Sequence, residues 1–193
     1  MIHIVTPFSR WENLNFYVEG LKNQNIVWHP IYHSEGEIPN VPWIQPFKIK
    51  VPEGWDACYY KLNYFMDTAG LVANDYYLFM NDDDWFEEGF FDKIRQNSDE
   101  LLIVSMKRGH NHLPHISPHG TSNLYANQQS MCVGSVGVEQ IVIKGSLLSR
   151  YRFPNSCVGD GILISQITGE NKAKFLPDCY AYFNYLQEGR WNK

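Results

Sequence analysis

The stretch Tyr76-Tyr77-Leu78-Phe79-Met80-Asn81-Asp82-Asp83-Asp84 sets five apolar residues directly against three consecutive carboxylates. An unbroken apolar run of this length suits a strand covered on both faces, the usual state of a central strand in a parallel sheet. Three adjacent acids repel one another. After a central strand they fall where ligands bind in open α/β sheets, at the carboxyl ends of the strands. Hard oxygen ligands gathered there suit Mg²⁺ or Mn²⁺, which take carboxylates together with substrate phosphates. A cation so placed stabilises the negative charge of a departing diphosphate. The plainer alternative is an acidic turn in which Asp84 caps a helix running from Trp85 to Gln96.

On either side of this stretch, strand-like and helix-like segments alternate, which predicts an α/β fold with a mostly parallel central sheet flanked by helices. Ile2 to Thr6 reads as a strand, broken by Pro7 and Phe8. Ser9 stands three residues before Glu12, the spacing of a capping box. Leu14, Tyr17, Val18 and Leu21 then recur on one helical face. Asn25 to His33 reads as a second strand interrupted by Pro30, residues 34–46 as a loop, and Phe47 to Val51 as a short third strand. Asp56 can cap a helix that runs to about Ala69. Leu101 to Met106, Val138 to Lys144 and Lys174 to Tyr185 are strand-like, the last as a strand or hairpin. Gly159-Asp160-Gly161 opens an apolar helix from Ile162 to Ile167.

Composition excludes some functions. A net charge of −5 argues against a general nucleic-acid binder, which carries a basic face. It leaves a nucleotide ligand open, because a divalent ion can screen a diphosphate. The aromatic fraction of 15% reads mainly as core rings. No basic segment precedes the first strand, so no signal peptide is expected. No apolar run reaches the ~20 residues that span a bilayer. Cys58, Cys132, Cys157 and Cys179 form no C-x-x-C pair and read as reduced thiols of a cytoplasmic protein, although their even number leaves a disulfide open.

Tyr76 to Gly89, YYLFMNDDDWFEEG, resembles the D-x-D segment of glycosyltransferase family 2 and related GT-A enzymes. The resemblance runs from Ile2 to about Tyr185 and rests on the order and spacing of several short motifs. It implies a GT-A fold, a single catalytic domain over residues 1–193, and a Mn²⁺- or Mg²⁺-dependent transfer from a nucleotide-diphosphate sugar donor to a glycan or other hydroxyl acceptor, with inversion. By the same resemblance Asp83 would be a metal ligand, with Asp82 and Asp84 as further candidates and Asn81 against the ribose. Thr6, Pro7, Phe8 and Arg10 match the loop that lies against the nucleoside. Glu35 stands near the place of an acid that binds the base or ribose, and Lys61 and Asn63 match a pair that approaches the diphosphate. Asp160 holds the place of the general base, which takes the proton of the acceptor hydroxyl. For each there is a plain structural alternative: a strand-to-helix turn for Thr6 to Arg10, an exposed helical lysine for Lys61, a helix cap for Asp160.

His110, His112, His115 and His119 cluster in a long polar segment, Lys107 to Met131. Pro114 and Pro118 break any helical histidine pair there, so the segment reads as a loop over the site or at the surface. Many GT-A enzymes use a late histidine as a metal ligand. None follows His119, which leaves another residue such as Asn184 for that role. Two other readings stay open. One is a nucleotidyltransferase or phosphotransferase, although no Walker motif is present. The other is a non-catalytic sugar-binding module, which Asn81 in place of the first acid keeps in view.

Overall fold

A computed structural model describes residues 1–107, 126, 131, 133, 136–183 and 185–186. The strands are β1 (Ile2–Pro7), β2 (Val27–Tyr32), β3 (Phe47–Lys48), β4 (Tyr76–Phe79), β5 (Trp85–Phe86), β6 (Leu101–Lys107), β7 (Ile141–Lys144) and β8 (Lys174–Tyr182). The helices are α1 (Leu14–Leu21), α2 (Ala57–Thr68), α3 (Phe90–Arg95), α4 (Gly145–Leu148) and α5 (Gly159–Glu170). The strands make one sheet in the order β3-β2-β1-β4-β7-β6-β8-β5. Six strands run one way. β7 lies antiparallel to β4 and β6, and β5 antiparallel to β8. The protein is therefore an α/β fold with a mostly parallel sheet.

Both faces of the sheet are covered, as the unbroken apolar run of β4 requires. Tyr77 and Phe79 of β4 join Ile103, Ile143 and the inner faces of α2 and α5 (Leu62, Phe65, Leu163, Ile167). Their neighbours Tyr76 and Leu78 point the other way and join Leu102, Val142, α1 (Tyr17, Leu21) and α3 (Phe90, Ile94). The period of two along each strand sets which core a residue enters.

Several local expectations are corrected. Trp85 and Phe86 do not start a helix. They form the edge strand β5, and α3 begins only after Gly89, whose φ of 74° suits glycine. Ser9 and Glu12 make no capping box. The Ser9 hydroxyl donates to Asp82 instead, and a 3₁₀ turn over Trp11–Asn13 leads into α1. Residues 138–140 are a 3₁₀ turn, and the strand starts at Ile141. Pro30 does not interrupt β2. Trp28 N–H donates outward to Trp43 O at 2.9 Å, and Pro30, two residues on, faces the same side between the Ile44 bridge and β3, where the ladder is broken.

Among the described residues no helix is long and apolar enough to cross a membrane. Cys58, Cys157 and Cys179 are free thiols, and Cys132 lies outside the described residues. So do the four clustered histidines and Asn184.

Candidate functional site

The carboxyl ends of β1 and β4 lie side by side, in the register Val5↔Phe79. The segments that leave them, residues 8–10 and 81–84, therefore meet. Asp82 closes that meeting. Its carboxylate is 2% exposed and accepts from Ser9 N–H (2.6 Å), Ser9 Oγ (2.9 Å), Arg10 N–H (2.6 Å) and the Arg10 guanidinium. A buried carboxylate with four donors is an anchor for the β1–α1 loop. The carbonyls of the acidic turn are also held. Asn13 Nδ2 donates to Asp82 O (2.7 Å), Leu186 N–H to Asp83 O (2.9 Å) and Tyr17 Oη to Asp84 O (2.8 Å).

A cavity of about 360 Å³ opens above this junction, bordered by Pro7, Arg10, His33, Lys61, Asn81 and Asp83, with Asp82 and Cys58 at its floor. Arg10 Nη1 stands 3.2 Å from Asp83 Oδ1. Burial works against the Arg10 charge, but Asp83 and Asp82 more than offset it and raise its pKa. Lys61 is 2% exposed and donates to Phe8 O at 2.8 Å. Its pKa is lowered, chiefly by burial, with Asp82 opposing. A larger hollow of about 430 Å³ lies between Trp85, Phe91 and Tyr182. Among the described residues its charged lining is Glu87 and Glu88, which would repel a phosphate.

Asp84 is fully buried and shares a hydrogen bond with the carboxyl of Glu139. Asn81 Nδ2 also donates to Glu139, at Oε1. Burial raises the Glu139 pKa, and the nearby charges of Asp160 and Asp83 add to the rise. Two hydrogen-bonded carboxyls in such a place hold one proton between them. Glu139 thus backs the acidic turn from behind, where the charge of Asp160 also reaches it, and sequence reading did not single it out. Asp160 sits in the first turn of α5, where its Oδ1 accepts Gly161 N–H at 2.7 Å and the Tyr59 hydroxyl lies near its carboxylate. It does not cap α5. Burial raises its pKa above the ordinary carboxylate value, against both of these groups.

Other residues singled out from the sequence lie elsewhere. Thr6 is buried, and its Oγ1 accepts Trp28 Nε1 at 3.0 Å, a tie between β1 and β2. The Phe8 ring packs edge-on against Trp11, Tyr17 and Trp28 in the core, so only its carbonyl serves the site. Glu35 is 97% exposed and pairs with Lys48, while His33 takes the position at the cavity. Asn63 clamps the backbone of Phe153, with both hydrogen bonds at 2.8 Å, and so ties α2 to the segment before α5.

Among the described residues no three His, Cys, Asp or Glu side chains are grouped to hold a metal ion by themselves. Mg²⁺ and Mn²⁺ do not need such a cage, because they bind through one or two carboxylates together with phosphates and water. Asp83 fits that lesser requirement. Asp82 is taken by its four donors, and Asp84 lies behind the cavity wall against Glu139. No protein-family model matches the chain, and neither does any curated protein.

Proposed function

We propose that the chain is a GT-A-type glycosyltransferase that moves a sugar from a nucleotide-diphosphate donor to a hydroxyl acceptor with inversion. The observation that carries this reading is the convergence of Asp83, Arg10 and Lys61 on one cavity, with Asp160 near enough for its charge to act on Glu139 behind it. A donor diphosphate in this cavity meets two cations, Arg10 and Lys61. Asp83 would hold Mn²⁺ or Mg²⁺, whose contribution is charge neutralisation of the leaving diphosphate. Asp160 takes the proton of the acceptor hydroxyl. The new bond forms between that oxygen and the anomeric carbon, while the bond to the diphosphate oxygen breaks and its electron pair leaves with the nucleoside diphosphate. Burial, which raises the Asp160 pKa, makes its carboxylate a stronger base than an exposed one. The free thiols fit a cytoplasmic setting.

The engagement of Asp82 and Asp83 by Arg10 favours a second reading, a nucleotide-binding module without transfer. Asp160→Asn separates the two. Under the first reading it keeps nucleotide binding and lowers transfer by about 10²-fold or more, the usual worth of a general base. Transfer by Asp160→Asn at the wild-type rate, or none by the wild type with any donor and acceptor, would reject catalysis by this residue. Release of pyrophosphate in place of nucleoside diphosphate would point to nucleotidyl transfer.

A further inference from the structure

Six large hydrophobic side chains stand exposed among the described residues, and the two aromatic ones, Trp55 at 42% and Tyr64 at 36%, belong to one feature. Tyr60 and Tyr64 are four residues apart on the outer side of α2, Tyr60 half-buried against the core and Tyr64 exposed. The Trp55 ring meets Tyr60 edge-on, with centroids 5.4 Å apart. The inner face of α2 is ordinary core: Tyr59, Leu62, Phe65 and Met66 are buried. Its outer face thus begins with a stripe of rings where a helix normally carries charge.

The stripe starts two residues before Ala57, which lines the candidate site, and its base is held firmly. Asp56 N–H donates to Asn155 Oδ1 (2.9 Å), and Asn155 Nδ2 returns to Gly54 O (3.3 Å). The Asn63–Phe153 clamp ties the same two segments together one turn further on. Asn155 lies five residues before Asp160, and the ring of Tyr59, beside Tyr60, packs against Gly159, the residue before Asp160. The exposed rings and the candidate base therefore share one braced unit. Rings held in place lose little freedom when a ligand lands on them.

We propose that Trp55, Tyr60 and Tyr64 form a stacking platform for the sugar rings of a carbohydrate acceptor, leading its hydroxyl toward Asp160. This rests on the glycosyltransferase reading. A pyranose ring carries an apolar C–H face that lies flat on an aromatic ring, and hydroxyls at its edge that stay in water or meet polar neighbours. Size selects this occupant over a second protein chain. At these exposures the rings offer roughly 200 Å², taking 150–250 Å² for each aromatic side chain, whereas a stable interface covers ~800 Å² per partner. Charge selects it over an anionic bilayer, because Glu53 and Asp56 stand beside Trp55 and the nearby Arg152 is paired with Asp67, whereas unpaired basic residues are what draw a chain to such a surface.

The test is saturation-transfer NMR on the full chain with cellohexaose, maltohexaose and chitohexaose as probes, for wild type, Trp55→Ala, Trp55→Phe and Tyr64→Ala. Thermal melts confirm that each variant folds. The expected result is saturation transfer to the ring protons of at least one probe, reduced fivefold or more in Trp55→Ala, weakened in Tyr64→Ala and largely kept in Trp55→Phe. No transfer to any probe in the wild type, or equal transfer in all four proteins, overturns the platform. So does Trp55-dependent sedimentation with phosphatidylglycerol vesicles, or Trp55-dependent dimerisation, in place of sugar binding. Nucleotide thermal shifts run in parallel keep the two claims apart. A shift without sugar binding removes the platform alone. Sugar binding without a shift supports the platform and removes the donor site.

Discussion

The Arg10 guanidinium lies between Asp82 and Asp83: it hydrogen-bonds Asp82 Oδ1 and stands 3.2 Å from Asp83 Oδ1. The two neighbouring acids thereby take different parts. Asp82 turns inward and fastens the β1–α1 loop, while Asp83 borders the cavity. Asp82→Ala strands Ser9 N–H and Arg10 N–H and leaves the partly exposed Arg10 guanidinium to Asp83 alone. The expected cost is about 2–4 kcal/mol, chiefly from the two stranded backbone donors. Denaturant unfolding should show that loss, and a smaller one for Asp83→Ala. Equal losses would contradict the division of roles.

The Glu139–Asp84 pair makes an opposite prediction. Glu139 keeps a raised pKa when folded, mainly through burial. An acid of this kind favours the folded state below its unfolded pKa, and that contribution is lost as pH rises through the folded one. At pH 7 a neutral amide should therefore serve better, since its NH₂ can donate to Asp84 and its oxygen can accept from Asn81. Glu139→Gln should raise the melting temperature by a few degrees at pH 7, with no gain below about pH 4.5, the ordinary glutamate value. A large destabilisation at pH 7 would show that the glutamate is ionised and needed as such.

His29 should make the fold sensitive to acid. Burial, and then the neighbouring His3, lower its pKa to about 3. A base whose pKa is depressed on folding contributes full stability above its unfolded pKa of 6.5, and stability falls as pH drops below that value toward 3. Between pH 7 and pH 5 this single group should cost about 2 kcal/mol. Unfolding at the two pH values measures it. His29→Phe should flatten the dependence, and an unchanged slope in that variant would assign the acid sensitivity to other groups.

Tyr59 should tune Asp160. Its hydroxyl lies near the carboxylate and favours the charged form, which holds the pKa of Asp160 below the value that burial alone would set. If Asp160 is the base, transfer falls at low pH as that carboxylate takes up a proton. Tyr59→Phe should move the acid limb of the kcat/KM profile to higher pH and leave the plateau largely in place. A limb that stays put would separate Tyr59 from the base.

The legible parts of the fold were those whose signal is local. The apolar run of β4 needed a cover on both faces, and the sheet gives it one. The period of α2 marked its inner face, and Asp56 caps it through Cys58 N–H and Tyr59 N–H, as expected. Trp85 and Phe86 read as helix because their strand exists only through pairing with Ala181 and Tyr182, almost a hundred residues away. Glu139 was missed for a related reason. In sequence it is a lone acid in an apolar run. The antiparallel register Leu78↔Val142, carried three residues further, sets Glu139 opposite Asn81. No pattern along the chain announces that meeting. Glu35, Asn63 and Thr6 were chosen by position along the sequence, but the side chains that face the cavity near them are His33, Lys61 and Arg10.

The most direct test of the donor site is a thermal shift with UDP, GDP and CDP, each with and without Mn²⁺, on the wild type and on Asp83→Ala. The account predicts a rise with one nucleotide that depends on Mn²⁺ and is lost in Asp83→Ala; at 100 times Kd the stabilisation is about 2.7 kcal/mol. No shift with any nucleotide under any condition would contradict it.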